Sequence, residues 1–225
     1  MIYVTGDMHG ELGVNKFSSS NFPDGKNLTK NDYVIICGDF GLIWGNTAGE
    51  KYWLDWLTEK PWTTLFVDGN HENFDRLYNY PLVDKFGDKV GLISPSIYHL
   101  KRGNIYSIEE RTFFTMGGAM SHDQGFRKEF VSWWSQEMPN SEEYEHALSN
   151  LDKIGWKVDF VITHCCPTSI QRYINPEFLN DNLTQFLEDV GSRLDFKHWY
   201  FGHYHDDRQL SSRFSILYHN IVRIV

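Results

Sequence analysis

Five times along this chain an apolar run stops at a turn that delivers Asp, Asn or His. Ile2-Tyr3-Val4-Thr5 leads into Gly6-Asp7-Met8-His9-Gly10, and Tyr33-Val34-Ile35-Ile36-Cys37 into Gly38-Asp39-Phe40. Leu65-Phe66-Val67 leads into Asp68-Gly69-Asn70-His71-Glu72. Phe160-Val161-Ile162 leads into Thr163-His164-Cys165, and Trp199-Tyr200-Phe201 into Gly202-His203-Tyr204-His205. Short apolar runs bounded by turn residues read as buried strands. Open α/β sheets place their ligands just past the carboxyl ends of such strands. With the strands side by side, Asp7, His9, Asp39, Asn70, His164, His203 and His205 would converge on one rim, with His71 beside them. One such turn is a weak signal. Its recurrence, with half of the ten histidines (9, 71, 164, 203 and 205) falling in these turns, argues for a metal site rather than scattered loop residues.

The stretches between the motifs fit an α/β chain. Strands are expected at 1–5, 32–37, 63–67, 158–163 and 198–201. Residues 11–17 suggest a short helix, 18–31 a polar surface loop, and 41–49 a loop carrying Trp44. A helix at 50–58 follows from Trp53, Trp56 and Leu57 on one face, with Pro61 beyond its end. Residues 72–80 read as helical up to Pro81. Short β segments at 90–93, 96–100, 104–108 and 112–116, with Arg102-Gly103-Asn104 as a hairpin turn, suggest a second sheet packed on the first. Asn140 and Glu143 have capping-box spacing ahead of a helix that stops at Gly155. Leu183, Phe186, Leu187, Val190 and Leu194 mark another helix, opened by Asn180 or Asp181. Residues 214–218 and 220–225 suggest a closing hairpin. This organisation predicts one domain over 1–225, with 121–157 as an insertion or cap segment.

Composition narrows the functional classes. A chain of 225 residues, 41% hydrophobic and 16% aromatic, can bury a real core. A formal net charge of -9 argues against non-specific nucleic-acid binding. It does not exclude an anionic substrate, because bound divalent cations reverse the local field. Three cysteines make no disulfide framework, so a reduced, cytoplasmic setting is expected, with Cys37, Cys165 and Cys166 as small buried residues. No apolar window is long enough to span a membrane, and the amino terminus lacks signal-peptide features. A cleaved leader would also remove Asp7.

The set Asp-x-His, Gly-Asp, Gly-Asn-His-Glu, a lone His and Gly-His-x-His, in this order from residue 6 to 205, resembles the calcineurin-like metallophosphoesterase family. The resemblance implies a four-layer α/β/β/α sandwich of two mixed sheets and a two-metal hydrolase of phosphate esters. It assigns Asp7, His9 and His205 to one ion, Asn70, His164 and His203 to the other, and Asp39 as the bridge. Such donors suit Mn²⁺, and also Fe²⁺ or Zn²⁺, better than Mg²⁺. In the family pattern a water shared by the two ions attacks phosphorus, and His71 contacts the phosphate and protonates the leaving oxygen.

The expected reaction is hydrolysis of a phosphate monoester of a small molecule, nucleotide or phosphoprotein. The alternatives are a diesterase acting on cyclic nucleotides or nucleic acid, and a non-catalytic binding protein on the same fold. Phosphoprotein phosphatases of the family continue the second motif as Gly-Asp-x-Val-Asp-Arg-Gly. That Asp orients the catalytic His and that Arg binds phosphate. Here Gly38-Asp39-Phe40-Gly41-Leu42-Ile43-Trp44 carries neither. Arg127 is the candidate phosphate contact in their place, against the commoner use of an arginine as an exposed charge. Trp44, Trp133 and Trp134 are candidates to stack on a base, against the commoner use in packing.

Overall fold

The motif-bearing runs become strands covered on both faces, which is why they read as continuous apolar stretches rather than as alternation. A computed structural model describes residues 1–225. Its strands are β1 (Ile2–Thr5), β2 (Tyr33–Ile36), β3 (Thr63–Phe66), β4 (Leu82–Lys85), β5 (Asp88–Ser94), β6 (Ile97–Leu100), β7 (Ile105–Ile108), β8 (Arg111–Met116), β9 (Phe160–Thr163), β10 (His198–Phe201), β11 (Arg208–Gln209), β12 (Phe214–Ile216) and β13 (Ile221–Arg223). The helices are α1 (Ala48–Thr58), α2 (Phe74–Leu77), α3 (Ser141–Lys153), α4 (Thr168–Ile174) and α5 (Asn182–Arg193). No helix is long and apolar enough to cross a membrane.

Two mixed sheets result. One has the order β13-β1-β2-β3-β6-β5-β4, and the other β11-β12-β10-β9-β8-β7. β1, β2, β3 and β6 run parallel in the first, as do β8, β9, β10 and β12 in the second. Side chains sort by strand period into three apolar layers. Ile2, Val4, Ile35, Leu65 and Val67 meet Tyr106, Phe113, Phe160 and Ile162 between the sheets. Tyr3, Val34, Ile36 and Phe66 point the other way, onto Phe17, Leu57 and Trp62. Phe114, Val161, Trp199 and Phe201 face Ala147 and Leu151 of α3 and Leu183, Leu187 and Val190 of α5. This is the four-layer sandwich that the resemblance implies.

The helix starts follow the capping chemistry. Thr47 with Glu50 and Asn140 with Glu143 form reciprocal capping boxes, and Asp181 rather than Asn180 opens α5. Each such cap contributes about 1 kcal/mol. Several local expectations differ. Residues 10–12 and 14–17 form two 3₁₀ turns, not one helix. Only 74–77 of the 72–80 stretch is α-helical, because the Glu72 carboxylate is drawn inward to accept from the backbone N–H groups of Phe40 (2.7 Å) and Gly41 (3.3 Å).

The β-rich middle divides between the sheets. β5 and β6, joined by the unforeseen β4, widen the first, and only β7 and β8 belong to the second. Arg102-Gly103-Asn104 is therefore a crossover between sheets, not a hairpin. The real hairpin turns at Glu109 and Glu110, both left-handed, as two-residue hairpin loops demand. The terminal hairpin is likewise absent. β12 joins β10 and β13 joins β1, in different sheets. A further short helix, α4, starts directly after Pro167, which is its N-cap residue.

Candidate metal centre

The loops after β1, β2, β3, β9 and β10 meet at one rim, and backbone hydrogen bonds lock them together. Met8 and His9 N–H both donate to Asp39 O, at 3.1 and 2.7 Å. His203 N–H donates to Asp7 Oδ1 and His71 N–H to Asp39 Oδ1, each at 2.8 Å. Such closeness requires glycine at two positions. A Cβ on Gly202 would lie 2.0 Å from Asp7 Oδ1, and one on Gly69 2.0 Å from Asp39 Oδ1. The rim is also strained. His9, Asp39, His203 and His205 all have left-handed backbones, with φ of 52°, 46°, 67° and 50°. Each costs on the order of 1–3 kcal/mol and persists only where its surroundings over-determine it.

Two clusters of donor atoms result. In the first, His205 Nε2 lies 3.1 Å and His9 Nε2 3.6 Å from Asp7 Oδ2. The two ring nitrogens are 2.9 Å apart. Asp7 Oδ2 is buried without a hydrogen-bond partner. In the second, His164 Nδ1 donates to Cys37 O at 2.7 Å, which aims Nε2 into the cluster. That nitrogen faces Asn70 Oδ1 at 3.1 Å and Asp39 Oδ1 at 3.4 Å. The His203 ring lies 5.0 Å from that of His164. Asp39 touches both clusters, since its Oδ2 is 3.6 Å from His9 Nε2. Asp7 Oδ1 also comes within 3.8 Å of His164, but on the Nδ1 side, whose proton is committed to Cys37.

Acceptor facing acceptor is unfavourable unless a cation or proton sits between them. The electrostatics say the same. Burial would lower His164, yet Asp39 and Asp7 push it up to about 10. Burial would raise Asp7, yet His164 and contacts from His205, His9 and the His203 N–H hold it well below the usual carboxylate range. Asp39 follows the same balance, with His164 bringing it to about 2. Burial and the charge of His164 keep His203 neutral, near 3. Oxygen and imidazole donors around an orphaned buried carboxylate oxygen fit a pair of divalent ions.

The calcineurin-like phosphoesterase family model matches residues 1–207. The chain belongs to that family. Calcineurin-like phosphoesterases generally use a dinuclear divalent centre. Curated relatives include the lariat debranching enzyme of Danio rerio, 26% identical over 202 residues, covering 79% of this chain and 33% of that protein. Lariat debranching enzyme A of Xenopus laevis is 25% identical over 209 residues, covering 84% and 37%. The chain thus spans about a third of the length of these relatives. A solved structure of a Staphylococcus aureus protein assigned as a 5'-nucleotidase, in complex with alpha-ketoglutarate, aligns with a TM-score of 0.52 at 15% identity, over 96% of this chain and 48% of that one. It supports the phosphoesterase fold.

His71 stands at the rim of this centre, its ring 5.3 Å from that of His9. Arg127 reaches it from the 121–137 segment, Nη1 to Nδ1 at 3.2 Å, and is held by Asp123 on Nε at 2.8 Å. A guanidinium can only donate, so Nδ1 accepts and the ring proton sits on Nε2. Burial lowers His71; Asp39 opposes this and Arg127 adds to it. Of the tryptophans, Trp134 is buried, donates to Asp75 and packs edge-on against Trp44, which is structural use. All three cysteines are buried and free.

Sequence reasoning missed a second layer of charged residues. Asp68, His99 and Arg102 form a fully buried cluster directly before the Gly69-Asn70-His71 turn. Glu137 is fully buried behind Asn70. Asp68 carried a usable signal, a carboxylate continuing an apolar strand. Arg102 and Glu137 carried none.

Proposed function

We propose that the chain hydrolyses a phosphate diester, holding two divalent ions, Mn²⁺ foremost and Fe²⁺ or Zn²⁺ as alternatives, through Asp7, His9, Asp39, Asn70, His164, His203 and His205. Bound there, the ions supply an acidified water and offset the charge of the phosphate. His71 holds a proton on Nε2 and directs it at the leaving oxygen, stabilising as a hydrogen-bond donor the charge that develops there. Arg127 fixes the tautomer of His71 and offers its remaining edge, Nη2, to a phosphate oxygen.

The observation that carries this reading is the placement of His71 between Asp39 and Arg127 at the rim of both donor clusters. Diester specificity is supported by two hollows flanking the centre. One, of about 320 Å³, is lined by Asp7, His9, Leu12 and Tyr218, and the other, of about 210 Å³, by His71, Arg127 and His203. A diester has two arms to place, and a monoester one. The curated relatives, lariat debranching enzymes, are phosphodiesterases. The monoester expected from the sequence is the second reading, favoured by Arg127 as a permanent cation suited to a dianion. A non-catalytic protein on this fold is disfavoured, because no side chain of either donor cluster is missing.

With Mn²⁺ loaded, bis-p-nitrophenyl phosphate should be cleaved faster than p-nitrophenyl phosphate. The opposite preference overturns the diester reading, and inertness toward both overturns the enzyme. His71→Ala should lower turnover by about 10²–10⁴-fold with metal content unchanged. Loss of metal in that variant would show that His71 is a ligand and not the donor to the leaving oxygen.

A further inference from the structure

Asn70 is one of the side chains argued above to hold an ion, and an amide can do so only through its oxygen. Which end of an amide faces a site is set by its hydrogen bonds, not by its shape. Here Asn70 Nδ2 lies 3.0 Å from Ser121 Oγ, and Ser121 Oγ lies 2.7 Å from Glu137 Oε2. Glu137 has no exposed surface. Its other oxygen, Oε1, accepts from Ser121 N–H at 2.8 Å and from Gln124 Nε2 at 2.6 Å.

We propose that Glu137, acting through Ser121, dictates that the oxygen and not the nitrogen of Asn70 faces the metal centre. The chain of reasoning runs through proton count. A carboxylate only accepts, so the single hydroxyl proton of Ser121 goes to Glu137. The lone pairs of Ser121 Oγ then require a donor, and Asn70 must present its NH₂. Its Oδ1 is thereby turned toward His164 Nε2, the nitrogen that Asp39 Oδ1 also faces. Glu137 is a positioning residue. It touches neither the donor clusters nor the hollows beside them.

The backbone holds both ends of this relay in register. Arg102 donates from Nη2 to the carbonyls of Gln136 (2.9 Å) and Glu137 (3.3 Å). The same guanidinium grips Asp68 through Nε at 2.8 Å and Nη2 at 2.5 Å, two residues before Asn70. Gly118 N–H adds a bond to Asp68 O at 2.9 Å. The segment carrying Glu137 is thus bolted to the turn carrying Asn70. A buried carboxylate without its own cation is costly, and dictating the polarity of a ligand accounts for its presence there.

The inference rests on the reading of Asn70 as a ligand, and the test separates the two. Glu137→Gln is nearly isosteric but offers an NH₂ to Ser121 Oγ, which reverses the relay and favours the flipped amide. Mn²⁺ bound per chain is measured by equilibrium dialysis, with electron paramagnetic resonance reading the spin-coupled ion pair. Circular dichroism and the thermal midpoint report folding. Glu137→Gln should keep the first ion and weaken the second by about 10–100-fold, with loss of the coupled signal. Ser121→Ala, which frees the amide to turn, should weaken the second ion less; it carries the test alone if the Glu137 variant does not fold. Wild-type affinity for both ions in a folded Glu137→Gln, or in Ser121→Ala where that is the test, while Asn70→Ala loses one, overturns the relay alone. Two ions retained in Asn70→Ala overturns the relay and the ligand reading together.

Discussion

The His164 side chain is fully buried and that of His205 is 48% exposed, although both belong to one rim and both reach its carboxylates. The inner half of the centre has a second layer behind it. Cys37 O orients His164, and Ser121 and Glu137 orient Asn70. The outer half leans on solvent and on the Tyr218 ring, stacked 4.4 Å from that of His205. The contrast teaches that, on the proposed ligand set, the two ion positions would have different duties. An inner ion would be enclosed by the fold and add to its stability, whereas an outer ion would exchange with the medium.

The sharpest way to break that contrast is to remove what the halves share. Asp39→Ala deletes the oxygens that face both His9 and His164. Both ions should be lost by elemental analysis, and turnover should fall by on the order of 10³-fold or more, the equivalent of several kcal/mol. An outer ion retained at wild-type affinity would show that the halves are independent.

Next come the matched substitutions. His164→Ala should lose the inner ion and also lower the metal-free thermal midpoint, because it opens a buried cavity worth roughly 2–5 kcal/mol, or about 5–15 °C in a chain of this size. His205→Ala should weaken only the outer ion and leave the metal-free midpoint within a degree or two. Calorimetry on the two apo variants decides, and equal midpoints would erase the distinction.

The smallest effect lies behind the inner half. Burial, helped by Lys101 and opposed by Asp68, lowers His99 to about 4. Folded His99 is therefore neutral where the unfolded chain already takes a proton. Stability should fall as pH drops from about 6.5 toward 4, by at most a few kcal/mol. Asp68 is shifted in the same direction, with the same sign of effect on stability. Against the pull of burial, Arg102 and His99 hold its carboxyl well below the usual range, so its contribution is lost only at more acid pH. Urea midpoints at pH 7 and pH 5 should converge in His99→Asn, and an unchanged slope there would remove His99 as the cause.

Asp7, Asp39, Asn70, His164 and His205 could be placed from the sequence because each follows an apolar run, and a strand end is a local signal. The same reasoning failed at Arg102-Gly103-Asn104. A glycine between two β segments looks alike whether the chain folds back or crosses to another sheet. There Arg102 is buried against Asp68, and Gly103 packs on Ala147 of α3. β12 and β13 failed for the same reason. Their separation suits a hairpin, but β10 and β1 compete for them, and those long-range pairings win.

Apolar period and turn chemistry reach across only a few residues, so they dictated the strands, the helix caps and the identities of the side chains at the rim. The partition of strands between sheets, the bond from Arg127 to His71, and the path from Glu137 through Ser121 to Asn70 depend on loops far apart in the chain meeting at hydrogen-bond distance. No local pattern carries such information, since a buried carboxylate acquires its role from whatever packing brings against it.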